Sequence, residues 1–189
     1  GTDAHHKTLG IMGFGRIGFA VAKRAAGFDM KILYHDSVKA NSELEEKVGA
    51  TFVDKYTLLA QSDFVSLHVP LNPETHHFIG SSELAAMKRS AYLINTSRGE
   101  VVDEKALVRA LQMGQIAGAG LDVFEFEPAI ERELTFMDNV VILPHIASAS
   151  METRTKMGLV AAENLIAALI EGRLPPNCLN PEAFSSAAP

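Results

Sequence analysis

The amino-acid sequence predicts an α/β domain: a doubly wound parallel sheet of about seven strands with helices on both faces. Three observations carry this. Short apolar runs alternate with helical segments along the whole chain. Several of those runs are continuously apolar rather than alternating, as strands buried on both faces require. The first run leads straight into a glycine-rich turn that opens a helix. The predicted strands are Thr8–Met12, Lys31–His35, Thr51–Val53, Asp63–Val69, Ala91–Asn95, Gly118–Val123 and Val140–Leu143.

The helices carry start and stop signals. The helix after the glycine turn is expected to turn Ile17, Ala20 and Val21 inward. Ser42-Glu43-Leu44-Glu45 fits a capping box, with Gly49 as a left-handed stop. Asp103 is placed to cap a helix through Met113 that ends at Gly114. The last helix, Met151–Glu171, aligns Met157, Val160, Ala161, Leu165, Ala168 and Leu169 on one face, a stripe read as core. Gly172 and Pro175-Pro176 end it. The domain therefore runs over 1–176, followed by a tail, 177–189, with little apolar content and no periodicity. The one long irregular stretch, Phe124–Asn139, is acidic and follows a strand, where α/β sheets tend to place function.

Composition narrows the field. The chain has 189 residues, 47% of them apolar and 21% charged, and a net charge of −6, the make-up of an ordinary globular domain with its own core. An acidic balance without any Lys/Arg cluster argues against a nucleic-acid partner. No run of ~18 apolar residues could span a membrane. Gly1–Lys7 lacks the apolar centre of an export signal, so the expected setting is the cytoplasm. The single cysteine, Cys178, has no internal disulfide partner. His76-His77 invites a metal reading, but no carboxylate or thiol stands at ligand spacing; the pair is read as solvated loop and no metal is expected.

Gly13, Gly15 and Gly18 form G-x-G-x-x-G directly after the first strand. Gly13 allows the tight turn, Gly15 lets a pyrophosphate approach the backbone, and Gly18 lets helix and strand pack closely. The amides at the helix N-terminus then hold negative charge. The second strand ends in Asp36, 18 residues beyond Gly18, near the ~20-residue offset at which a carboxylate accepts bonds from the adenosine ribose. Strand, glycines, helix, second strand and acid in that order mark a dinucleotide-binding Rossmann domain. Asp36 further favours NAD over NADP, because a carboxylate repels a 2′-phosphate and the nearest cation on that loop is Lys39 rather than an adjacent arginine.

Three more segments stand at or just after predicted strand ends: Ile94–Asp103, Gly120–Pro128 and Leu143–Ala149. Together they offer an arginine, carboxylates and a histidine at one sheet edge. That set suits reduction of a 2-oxo acid, with a forked cation for the carboxylate, a histidine to deliver a proton and an acid to tune it. On these residues Glu125 and Glu127 compete for the last role.

With these motifs in register, the chain resembles the nucleotide-binding domain of the D-isomer-specific 2-hydroxyacid dehydrogenases, near their glyoxylate/hydroxypyruvate reductase and glycerate dehydrogenase branch. The likeness runs from Lys7-Thr8-Leu9-Gly10 to Leu179-Asn180-Pro181-Glu182 and includes Val69-Pro70-Leu71-Asn72-Pro73-Glu74-Thr75. It implies that Arg98 grips the substrate carboxylate, that His145 is the acid/base, and that Glu127 holds its imidazole and favours the protonated form. It implies that Asp122 meets the nicotinamide amide and that Arg16 and Ile17 present backbone amides to the pyrophosphate. Val69, Pro70, Thr75, Thr96 and Ala147 would line the cofactor; Ala147 stands where the family often has glycine. The resemblance further implies a homodimer through this domain. It also implies a substrate domain outside these residues, towards which the tail would return, and hence that these residues are a domain fragment of low activity. Two other classes fit parts of the pattern: an NAD(H)-sensing corepressor-like binding protein on the same fold, and a methyltransferase using the same glycine loop. Arg98, Glu127 and His145 together disfavour the methyltransferase.

Overall fold

A computed structural model of the chain describes residues 2–186. They fall into two compact units, one ending at His145 and one beginning at Ile146. The first holds seven strands, β1 (Thr8–Met12), β2 (Lys31–His35), β3 (Ala50–Phe52), β4 (Phe64–Leu67), β5 (Tyr92–Asn95), β6 (Gly118–Leu121) and β7 (Val140–Ile142). They form one sheet in the order β3-β2-β1-β4-β5-β6-β7, and every pair is parallel. The helices of this unit are α1 (Arg16–Ala25), α2 (Ser42–Val48), α3 (Lys55–Gln61), α4 (Ser81–Ala86) and α5 (Glu104–Gln112).

The strands divide the core by simple alternation. Leu9 and Ile11 of β1, Ile32 and Tyr34 of β2, and Ala22 and Ala25 of α1 share one cluster. Met12, Leu33, Val65, Leu67 and Leu93 face the other way, against Leu58 and Leu59 of α3, Leu84 of α4 and Leu107 and Leu111 of α5. Period-two side chains on a doubly covered sheet must sort like this. The strand order reverses between β1 and β4, so the crevice beyond their carboxyl ends is the place where such sheets take ligands.

Several local expectations change. β4 is shorter than Asp63–Val69, and the Asp63 side chain just before it accepts from Thr8 N at 2.9 Å and from Lys88 Nζ at 2.9 Å. The cap of α2 is Asn41, one residue before the capping box placed it, and its Oδ1 accepts from Leu44 N at 2.9 Å. Gly49 ends α2 at φ 64°, and Asp103 caps α5 through Ala106 N, both as expected. In α1 the buried residues are Gly18, Ala22 and Ala25, whereas Ile17 is 67% exposed instead of inward.

The second unit holds α6 (Met151–Leu169) and α7 (Pro181–Ser186). Ser150 caps α6 by accepting from Thr153 N. The stripe read as core is not buried: Met157 is 54%, Leu165 59% and Leu169 78% exposed, and Ala167 is the buried residue of this helix. The tail, read as having no periodicity, contains α7; positions 187–189 lie outside the described residues.

Candidate active site

The glycine turn joins β1 to α1. Gly13 sits at φ 92°, and a Cβ there would lie 2.7 Å from the His68 carbonyl carbon at the end of β4. A Cβ on Gly18 would overlap the carbonyl oxygen of Gly13. Gly15 is different, since a Cβ there would meet open space. Two glycines thus close the turn, and the third leaves room over the start of α1, where no side chain caps the helix. A cavity of 590 Å³ opens at this point, lined by Gly15, Arg16, Ile17, Ala20, Val21, Arg24 and His68. The exposure of Ile17 follows from its place in this lining.

Asp36 leaves the end of β2 and accepts from Phe14 N at 2.6 Å through Oδ2, while Oδ1 takes the Ser37 hydroxyl at 3.2 Å. The carboxylate therefore touches the glycine turn itself. The nearest cation on that loop, Lys39, is 3.5 Å from Glu45 Oε2 and so already faces a carboxylate. A diphosphate-bearing dinucleotide fits this donor set: helix-start amides beside open space, and an acid at the strand end for the ribose. His68 accompanies it with Nε2 2.9 Å from Ser66 Oγ, and burial holds its imidazole below the ordinary value. On the loop after β4, Val69 is half-buried and Pro70 exposed, and the Thr75 hydroxyl donates to Pro70 O at 2.5 Å, closing the loop.

The second constellation is built on the loops after β5, β6 and β7. Asn95, buried at the end of β5, accepts from Ser97 N and Ser97 Oγ and donates to Arg98 O, which shapes the turn that presents Thr96 and Arg98 to solvent. Gly99 lies flat against Phe124, with no space for a Cβ. Asp122 is buried just past β6, and its N–H donates to Asn95 O at 3.0 Å. Arg98, Glu127 and His145 then line one cavity of 410 Å³ with Gly99, Glu100, Phe124, Glu125 and Phe126. His145 Nδ1 is 2.9 Å from Glu127 Oε2. The His145 hydrogen bond, with a further one from Phe124 N and against modest desolvation, holds the Glu127 carboxyl below its usual range. His145 itself adopts φ 53°, a left-handed backbone uncommon for a residue with a side chain.

The two candidate acids are therefore separated in space. Glu127 reaches His145; Glu125 Oε1 instead lies 2.8 Å from His77 Nε2. Pattern reading missed what supports this loop. Glu104, at the start of α5 and 3% exposed, accepts from Glu125 N at 2.6 Å and Glu131 N at 3.3 Å, while Glu125 Oε2 accepts from Glu104 N. Burial, with the charges of Glu125 and Glu131, pushes the Glu104 carboxyl up despite those N–H donors. In the sequence Glu104 looks like an ordinary first-turn acid, and only its burial distinguishes it. Of the expected site residues, Ala147 alone belongs to the second unit.

Residues 1–147 match the family model described as D-isomer specific 2-hydroxyacid dehydrogenase, NAD binding domain. A glyoxylate reductase of Thermococcus litoralis is 56% identical over 183 residues, covering 97% of this chain and 55% of that protein. A glyoxylate/hydroxypyruvate reductase B of Escherichia fergusonii is 54% identical over 184 residues, 96% of this chain and 56% of its own length. Among solved structures, a glyoxylate reductase from Paecilomyes thermophila superposes with a TM-score of 0.85 at 48% identity, over 92% of this chain and 52% of that one. The chain thus spans little more than half the length of these relatives. The match over the glycine turn and the three loop segments together identifies the chain: it belongs to the D-isomer-specific 2-hydroxyacid dehydrogenases and is their NAD-binding domain.

Proposed function

We propose that this domain serves hydride transfer between NAD(H) and a small 2-oxo or 2-hydroxy acid of the glyoxylate/hydroxypyruvate kind. The observation that carries the reading is the shared cavity of Arg98, Glu127 and His145, with His145 Nδ1 held by Glu127 at 2.9 Å. The bound nicotinamide would supply or accept the hydride. Arg98 would take the substrate carboxylate in a two-pronged grip and draw charge towards the carbonyl oxygen. His145, fixed at Nδ1, would present Nε2 and deliver a proton to that oxygen, or remove it in the reverse direction. Glu127, its carboxyl held below the usual range, would orient the ring through Nδ1. Backbone amides of Arg16 and Ile17, with Gly13, Gly15 and Gly18 shaping the turn, would hold the pyrophosphate, and Asp36 the ribose. Asp122, Val69, Pro70, Thr75, Thr96 and Ala147 would complete the cofactor's surroundings.

The same reading includes a 1–176 nucleotide domain with 177–189 returning to a substrate domain, a cytoplasmic enzyme and a homodimer formed through this domain. The test has two parts. Calorimetry on the chain should give NADH binding, stronger than NADPH binding. A chimera carrying this chain in place of the matching segment of the Thermococcus litoralis enzyme should oxidise NADH with glyoxylate or hydroxypyruvate. His145→Ala should then cut its turnover by ~10²–10⁴. A well-folded chimera that binds NADH and reduces neither acid, or whose turnover survives His145→Ala, would overturn the assignment.

A further inference from the structure

The loop between β4 and α4 carries a cluster that the hydride-transfer reading leaves unused. His76 and His77 are neighbours in sequence, yet their rings lie 4.1 Å apart at 32°, on the same side of the loop. Adjacent residues of an extended chain point apart. These two do not, because His77 takes φ 51° and donates its N–H to Glu100 O at 2.8 Å. The turn before them is also built. Asn72 Oδ1 accepts from Glu74 N and Thr75 N, and His76 N donates to Asn72 O at 3.0 Å. Across from the pair stands Glu125, 48 residues away in sequence, with Oε1 2.8 Å from His77 Nε2. One ligand atom from each of His76, His77 and Glu125 falls within 4.8 Å of the others.

We propose that His76, His77 and Glu125 form a site for a borderline divalent transition-metal ion, Zn²⁺ above all. Donor chemistry favours this class. Two neutral imidazoles and a carboxylate suit zinc and its Irving–Williams neighbours, whereas magnesium and calcium want oxygen. Distances are compatible. Ligands at ~2.1 Å from a tetrahedral ion stand roughly 3.4 Å apart, so the His77–Glu125 contact opens by about half an ångström and His76 closes in by ring rotation. A fourth position stays with water. The support behind the carboxylate is already in place, since Glu125 Oε2 accepts from Glu104 N at 3.2 Å and Glu125 N donates to Glu104 Oε1. Such backing fixes the orientation of a ligand and raises affinity. An ion there would tie the loop after β4 to the segment that carries Glu127, without using Glu127 or His145. Sequence spacing hides the site because its third ligand comes from another loop.

The experiment is titration of ZnCl₂ into the chain near pH 7.5 by calorimetry, with MgCl₂ as a parallel arm. His5→Ala/His6→Ala serves as background, because that exposed pair could itself take the ion. One Zn²⁺ per chain is expected, with an upward shift of the melting temperature and no response to Mg²⁺. His76→Ala, whose ring is exposed, should weaken binding by at least the ~10–100-fold that loss of a mere outer-shell partner costs and abolish the melting shift, and His77→Ala should do the same. Co²⁺ in place of Zn²⁺ should give the visible absorption of a tetrahedral complex. Absence of Zn²⁺ binding in the background chain would overturn the proposal. So would equal affinity in His76→Ala, or affinity lost only in His145→Ala, which would put the ion on the Glu127–His145 pair. NADH binding in the same preparations reports on the dinucleotide site separately.

Discussion

Replacing Glu104 by alanine should destabilise the domain and loosen the segment that carries Glu127. The carboxylate is 3% exposed and accepts from Glu125 N at 2.6 Å and from Glu131 N at 3.3 Å. Each of these part-buried donors left without a partner costs ~1–2 kcal/mol, the lower part of the range for buried groups. The sum is about 2–4 kcal/mol. For a chain of this size one kcal/mol moves the midpoint by ~2–4 °C, which gives a fall of roughly 4–16 °C. Glu104→Gln keeps the shape and one acceptor but turns its amide group towards the other N–H, so about half that loss is expected. Acidity adds a second readout. The Glu104 carboxyl is pushed up chiefly by burial, so the folded state holds this proton longer than the unfolded one. Its contribution is complete below the ordinary carboxyl range and declines as pH rises through the folded value. The gap between parent and Glu104→Gln should therefore narrow as pH rises. Thermal unfolding followed by circular dichroism at several pH values measures both effects. A Glu104→Ala midpoint within ~1–2 °C of the parent at neutral pH would refute the claim that this carboxylate clamps both ends of the segment.

Three further outcomes are expected. Glu83 is desolvated, yet hydrogen bonds from Lys55, Ser82 and Gly80 hold its carboxyl down from 4.5 to about 2. That corresponds to ~3 kcal/mol of stability, present above the ordinary carboxyl range and lost as pH falls towards 2; an acid titration of Glu83→Gln should lack this component of the decline. Asp36→Ala removes the acceptor of Phe14 N and the one proposed for the ribose, so NADH affinity should fall by ~1.5–3 kcal/mol and the proposed preference over NADPH should narrow, as fluorescence titration of both nucleotides would read. In the active chimera Glu127→Gln should lower turnover, since an amide does not hold His145 Nδ1 as the carboxylate does, and Arg98→Lys should remain poor because a point charge cannot replace the fork; unchanged turnover in Glu127→Gln would reject the role of Glu127.

How far the sequence went is clearest at particular residues. β1 and β2 were legible to the residue because an apolar run ends at a glycine in one and at an acid in the other. The ends of β4 were not; at its start the Asp63 side chain binds Thr8 and Lys88, partners 55 and 25 residues away that no local pattern reveals. Arg98, Glu127 and His145 were legible as a set because each follows a strand, and parallel strands send their loops to the same edge. Residue types and spacing left Glu125 and Glu127 open and only the family register pointed to Glu127; in space Glu127 meets His145 while Glu125 meets His77. Periodicity found the apolar face of α6 and not its exposure, for a stripe records that a face exists and is silent on what meets it.

The strand that delivers His145 stands at an edge of the sheet and is among its shortest. β7 has three residues, a neighbour on one side in β6, and Val141 63% exposed, whereas β1, which delivers the glycine turn, is flanked on both sides and buried at Ile11 and Met12. Opening free energies rise from sheet edge to centre, so amide exchange should be fast at β7 and slow at β1. Fraying of that edge would carry away His145, the proposed proton donor, while leaving the glycine turn intact. On the proposed function the domain would then lose its proton transfer by a local event that leaves the dinucleotide turn untouched, and whatever covers β7 from outside would set how long His145 stays in place.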